Sequence, residues 1–126
     1  MWKGKRKSKY SAKKVVVGGV TFDSELEKTC YDLLIKFKIP FKFQVEYELQ
    51  PPFRNRHGKA IRRIYMVIDF VIPLGKEIIV LDTKGFATTE AKLKYKMLEY
   101  KLHRQQKNYT IVFKRTKKEV KDYVIN

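Results

Sequence analysis

The chain has little with which to build a thiol, zinc or membrane function. Its one cysteine, Cys30, has no second thiol to pair with, and its place among Leu26, Leu33, Leu34 and Phe37 reads as a small core residue, not a nucleophile. The two histidines, His57 and His103, have no cysteine near them and make no zinc site. No apolar run approaches the roughly 20 residues of a membrane-spanning helix, and Met1-Trp2-Lys3 lacks the apolar stretch of a signal peptide. The expectation is a soluble, cytoplasmic protein with no membrane partner. Acidic residues are also scarce. Thirteen Asp and Glu stand against 29 Lys and Arg, a net charge of +16 on 126 residues. A field of that sign on one small domain points to a polyanion, and nucleic acid is the natural one.

What is present falls into a readable order. Residues 1–14 carry seven lysines and arginines, including Lys13 and Lys14, and no acid, which predicts a flexible basic arm ahead of a single domain over 15–126. Val15-Val16-Val17, Gly18-Gly19 and Val20-Thr21-Phe22 predict a short hairpin. Asp23 and Ser24 are N-cap candidates for a helix with apolar residues at Leu26, Cys30, Leu33, Leu34 and Phe37, ended by Pro40. The period then becomes two: Phe41, Phe43, Val45, Tyr47 and Leu49 predict one buried face of a strand. Arg54, Arg56, His57, Lys59, Arg62 and Arg63 surround Gly58 in an exposed loop or hairpin tip. Ile64 to Ile72 and Glu77 to Leu81 predict a buried strand pair joined through Pro73-Leu74-Gly75-Lys76. A second helix capped by Thr88 or Thr89 presents Ala91, Tyr95, Leu98 and Leu102 on one face and Lys92, Lys94 and Lys96 on others. A strand over 109–113 and a helix over 116–124 follow.

Candidate chemistry gathers at the strand ends. Asp69 interrupts Met66-Val67-Ile68 and Phe70-Val71-Ile72, where a carboxylate is costly unless a metal or partner compensates it. Asp82-Thr83-Lys84 closes the next strand, and alternation puts Asp82 and Lys84 on one side with Thr83 opposite. Asp69 and Asp82 lie near the ends of neighbouring strands, side by side, as hard oxygen ligands for Mg²⁺. Lys84 is then placed to stabilise developing charge or orient a water. Glu27 is either the N3 partner of a capping box begun by Ser24 or a third carboxylate for the ion, two roles that compete for one side chain. Glu25 is its rival, about 200° away around the helix. Gln44 is a polar surface residue or an accessory group at the site.

With these residues in place, the chain resembles the PD-(D/E)xK nuclease superfamily, with Ile68-Asp69 where the signature has Pro-Asp and Asp82-Thr83-Lys84 as (D/E)-x-K. More narrowly it is similar to a phage and prophage family described as Holliday-junction-resolvase-like, long catalogued as a domain of unknown function. Lys9 to Lys14, Phe22-Asp23-Ser24 with Glu27, Leu49-Gln50-Pro51, Asp69-Phe70, Asp82-Thr83-Lys84-Gly85 and the helix from Lys92 to Tyr100 carry that likeness. The resemblance implies an α/β (α+β) fold with a restriction-endonuclease-like core, a mixed sheet flanked by helices in the order α-β-β-β-α-β. It implies hydrolysis of DNA phosphodiesters with Mg²⁺, for which Mn²⁺ substitutes. Asp69, Asp82 and Glu27 would be metal ligands and Lys84 catalytic. Branched DNA would be the substrate, a homodimer the assembly, and a bacterial host cell the setting. Lys13, Lys14, Arg54, Arg56, Arg62, Arg63, Lys92, Lys94 and Lys96 are the expected DNA contacts. A nickase, flap or single-strand nuclease and a non-catalytic DNA-binding module are the alternatives.

Overall fold

A computed structural model describes residues 14–83, 88–105 and 107–125. The basic arm, apart from Lys14, lies outside the described residues, and so does Lys84. The described residues open with the hairpin β1 (Val15–Val17) and β2 (Val20–Phe22). Gly18 and Gly19 turn it at φ 58° and 81°, the left-handed pair that a two-residue hairpin turn matching strand twist requires. Helix α1 (Glu25–Lys36) starts at Ser24, whose extended backbone lets its hydroxyl accept from the Glu27 N–H at 3.1 Å. It stops where Lys38 turns left-handed (φ 56°), so that the Lys38 and Ile39 N–H groups bond back to Ile35 and Leu34 just before Pro40.

A four-stranded mixed sheet follows, in the order β3 (Lys42–Gln50), β6 (Ile64–Leu74), β7 (Glu77–Asp82), β8 (Asn108–Phe113). β3, β6 and β7 are antiparallel neighbours, and β8 lies parallel to β7 across the helix α2 (Thr89–Arg104). The segment read as a basic loop or tip is a small hairpin, β4 (Phe53–Arg54) and β5 (Ala60–Ile61), turned at Gly58 (φ 80°). Helix α3 (Lys117–Ile125) ends the described chain. The fold is thus mixed α and β, with helices on both faces of the sheet. Among the described residues no helix is long and apolar enough to cross a membrane.

Two cores result. Tyr95, Leu98 and Leu102 of α2 bury against Met66, Ile68, Val71 and Val80, each fully buried aliphatic contributing about 1.5–3 kcal/mol. On the other face, Cys30 and Leu34 of α1 and Val120 of α3 bury against Phe70, Ile72 and Leu81. Cys30 is fully enclosed, and burial pushes its thiol up to about 12, which keeps it protonated and inert.

One expectation fails in an informative way. Phe41, Phe43, Val45, Tyr47 and Leu49 do not share a face: Phe41 and Phe43 pack with the α1 core, whereas Val45, Tyr47 and Leu49 pack with the α2 core. β6 switches in step, since Met66 and Ile68 enter the α2 core and Phe70 and Ile72 the α1 core. Pairing is unshifted on either side of the switch, Phe43 opposite Phe70 and Val45 opposite Ile68. The two residues left between those pairs are Gln44 and Asp69. Gln44 takes φ 53°, a left-handed conformation that inverts the pleat and that side chains other than glycine and asparagine rarely adopt. Its amide donates to the Thr21 carbonyl at 3.3 Å. A β-branched residue cannot take that backbone without strain, so Gln44→Val should lower stability by about 1–3 kcal/mol while Gln44→Gly holds or raises it. Urea melting of both variants checks this, and a valine variant as stable as the parent would remove the role given to the switch.

Candidate metal centre

The switch decides where Asp69 points. Counting alternation back from Phe70 and Ile72, which face α1, would turn Asp69 to the α2 side; counting forward from Met66 and Ile68, which face α2, turns it to the α1 side. The second count holds. The inversion falls between Asp69 and Phe70, so both lie on the α1 side, with Asp69 against the first turn of that helix at Glu27. Asp69 is 2% exposed and Glu27 fully buried.

Three carboxylates meet here. One oxygen each from Asp23, Glu27 and Asp69 lies within 4.8 Å of the others. Their supports differ. The Asp69 Oδ2 accepts from the Thr83 N–H at 3.0 Å and from the Thr83 hydroxyl at 2.7 Å, which holds its rotamer. The Glu27 Oε1 accepts from the backbone N–H of Asp23. No N–H or O–H donor among the described residues reaches the Glu27 Oε2, which is buried beside the Asp69 carboxylate. The cap expected of Glu27 thus takes only one of its two oxygens. One oxygen closes the helix start through Asp23 rather than through the Ser24 N–H, and the other faces the cluster. Glu25, the rival, is exposed.

Burial, first, and the Asp69 charge, second, push Glu27 up to about 7. Two carboxylates this close in an apolar setting do not both stay ionised without a cation or a shared proton between them. The donor set is all oxygen and acidic, which suits a hard divalent ion such as Mg²⁺, Mn²⁺ or Ca²⁺.

Asp82 stands outside this group. The sequence places it beside Asp69, but Phe70 opposite Leu81 is the last β6–β7 pair, and β7 keeps normal alternation where β6 inverts. Asp82 consequently points to the α2 side, where its Oδ2 accepts from the Tyr95 hydroxyl. Thr83 lies on the opposite side, as alternation predicts, and it is Thr83 that reaches Asp69. The residues that sequence reasoning missed are thus Asp23, read only as a capping candidate, Thr83, read as the spacer of the motif, and Tyr95, read only as core. The signal for Asp23 was its place next to the Ser24 cap, just outside the helix that carries Glu27.

The basic residues are distributed over the surface. Lys14, Arg54, Arg56, Arg62, Lys92 and Lys96 are exposed. Arg63 pairs with Glu46 at 2.7 Å, and Lys94 with Glu90 at 3.0 Å. Gln44 is exposed and level with Asp69 along the sheet. Lys13 and Lys84 lie outside the described residues.

No curated protein and no solved structure matches the chain. A family model described as "Protein of unknown function (DUF1064)" matches residues 7–120, nearly the whole length. The chain belongs to the DUF1064 family.

Proposed function

We propose that this protein is a metal-dependent DNA endonuclease that hydrolyses phosphodiesters, acting on branched DNA in phage recombination or DNA processing. The observation that carries the reading is the buried Glu27 Oε2, which no donor among the described residues reaches, set against Asp69 and Asp23 in a chain of charge +16. A buried acidic cluster in so basic a protein is costly to keep unless it binds a cation. The helix–strand order, with α1, three long strands, α2 and β8, is also the order the nuclease resemblance implies.

Asp69 and Glu27 would hold Mg²⁺, with Asp23 at the open side. The ion, when bound, lowers the pKa of a water and polarises a phosphoryl oxygen. Thr83 fixes the Asp69 carboxylate through two hydrogen bonds, and the Asp23 N–H fixes one oxygen of Glu27, so both ligands are oriented before an ion arrives. Asp82 joins the set only if Tyr95 releases it. Lys84 follows Thr83 directly in the chain, and its assigned role is to stabilise charge on the phosphate. Cutting a four-way junction symmetrically needs two such sites, hence a homodimer.

The test is incubation of the purified chain with labelled linear, flap and four-way junction DNA, in Mg²⁺ and in EDTA. Cleavage in Mg²⁺ alone is expected, fastest on a branched substrate. No cleavage of any substrate in Mg²⁺ or Mn²⁺ would leave a DNA-binding module as the better reading.

A further inference from the structure

Beyond the switch, one face of the β3–β6 ribbon is uncovered by the described residues. Val67 and Tyr65 alternate with Met66 and Ile68, which enter the α2 core, so both project from the α1 side, and they are 45% and 42% exposed. Glu46 and Glu48 stand directly opposite them on β3. The Arg63 guanidinium lies over the Tyr65 ring, 4.2 Å from its centroid, and is tied to Glu46. The strip runs from Asp69 at one end to the β4–β5 hairpin at the other, and residues 51–63 of that hairpin region hold Arg54, Arg56, Lys59, Arg62 and Arg63 without one acid.

The two parts of this surface ask for different parts of a nucleotide. The hairpin attracts phosphate. The floor holds Glu48 and a Glu46 already paired with Arg63, one negative charge in excess, so it repels phosphate; a neutral, planar base can stack on the Tyr65–Arg63 pair and donate exocyclic N–H to a carboxylate. A duplex presents phosphates outermost and keeps its bases stacked on one another. Only a strand with unpaired bases can set bases on the floor and phosphates on the hairpin together.

We propose that the Tyr65–Val67 strip binds unpaired bases of a DNA strand whose phosphates follow the β4–β5 hairpin, so that the substrate carries unpaired nucleotides beside the carboxylates. This rests on the nuclease reading for its purpose and narrows it to DNA with a single-stranded segment. The test is binding of the full chain, in EDTA, to a labelled mixed-sequence single strand and to the same sequence as a duplex. Tyr65→Ala should weaken single-strand binding about tenfold or more and duplex binding less than about twofold, and Tyr65→Phe should restore the single-strand affinity. Equal weakening of both ligands, no weakening of either, or failure of the phenylalanine variant with an unchanged melting temperature would overturn it. Because binding is read without metal, the result is separate from cleavage. A wild-type chain that cuts no DNA would sink the nuclease reading and leave the strip standing, whereas a Tyr65-independent single-strand affinity would sink the strip and leave cleavage untouched.

Discussion

A chain carrying Asp69→Asn should bind DNA as tightly as the parent, or more tightly, and cut it at least about a hundredfold more slowly in Mg²⁺. Asparagine keeps an oxygen to accept from Thr83, so the change removes a charge and little packing. Two consequences follow from the geometry. Loss of the negative charge beside Glu27 removes the second cause of its raised pKa, and loss of a carboxylate near bound phosphate removes a repulsion. Glu27→Gln should be nearly as damaging to cleavage, because glutamine spends its one oxygen accepting from the Asp23 N–H and turns an NH2 group, which cannot ligate, toward the ion. Asp82→Ala separates two versions of the site. If the ion is held by Asp23, Glu27 and Asp69 alone, this variant loses its bond to Tyr95 and some stability but retains cleavage. If Asp82 moves to the ion, it falls with Asp69. Parental rates for the Asp69 and Glu27 variants together would remove the metal centre from the mechanism.

The second large effect is on stability as a function of pH and metal. Glu27 ionises near the ordinary value of 4.5 when the chain is unfolded and near about 7 when it is folded. Between those values the unfolded chain binds fewer protons than the folded one, so stability falls as pH rises. The penalty is absent below the lower value, complete above the upper one, and on the order of 3 kcal/mol. A divalent ion bound by the ionised carboxylates reverses this, so Mg²⁺ should raise the melting temperature more at about pH 8 than at about pH 5. Other groups titrate over the same range in a chain of charge +16, and the difference between the parent and Glu27→Gln isolates the contribution wanted. Parallel pH profiles for the two proteins in EDTA would show that Glu27 titrates normally, and a melting temperature indifferent to Mg²⁺ at about pH 8 would remove the ion.

Much of this was legible from local pattern. The glycine pair at 18–19, the Ser24 cap, the stop before Pro40, the Pro73–Lys76 connection and the Thr88 cap are features in which neighbouring residues impose the backbone, and each element began or ended within a residue or two of where those signals put it. Asp69 was legible as a candidate because a carboxylate in an apolar run is conspicuous by its cost, and Glu27 because it stands three residues after the Ser24 cap. The basic segment over 54–63 was visible as charge, and its folding into a two-stranded hairpin required only Gly58 and a few backbone pairs to be added.

Composition and spacing determined the charge, the element order, and the carboxylates worth watching. The tertiary structure decided which of them meet. Alternation assumes that a strand keeps its pleat, and Gln44 carries no sign in the sequence that it will take a left-handed backbone; glutamine has no such preference, and only the pairing of β3 with β6 and the burial of both faces select it. That one inversion leaves Asp69 facing α1 and away from Asp82, brings Asp23 and Thr83 to it, and leaves Val67 and Tyr65 uncovered beyond. Such a choice is made by contacts between segments distant in the chain, where the gain from filling two cores outweighs the local cost of one strained residue.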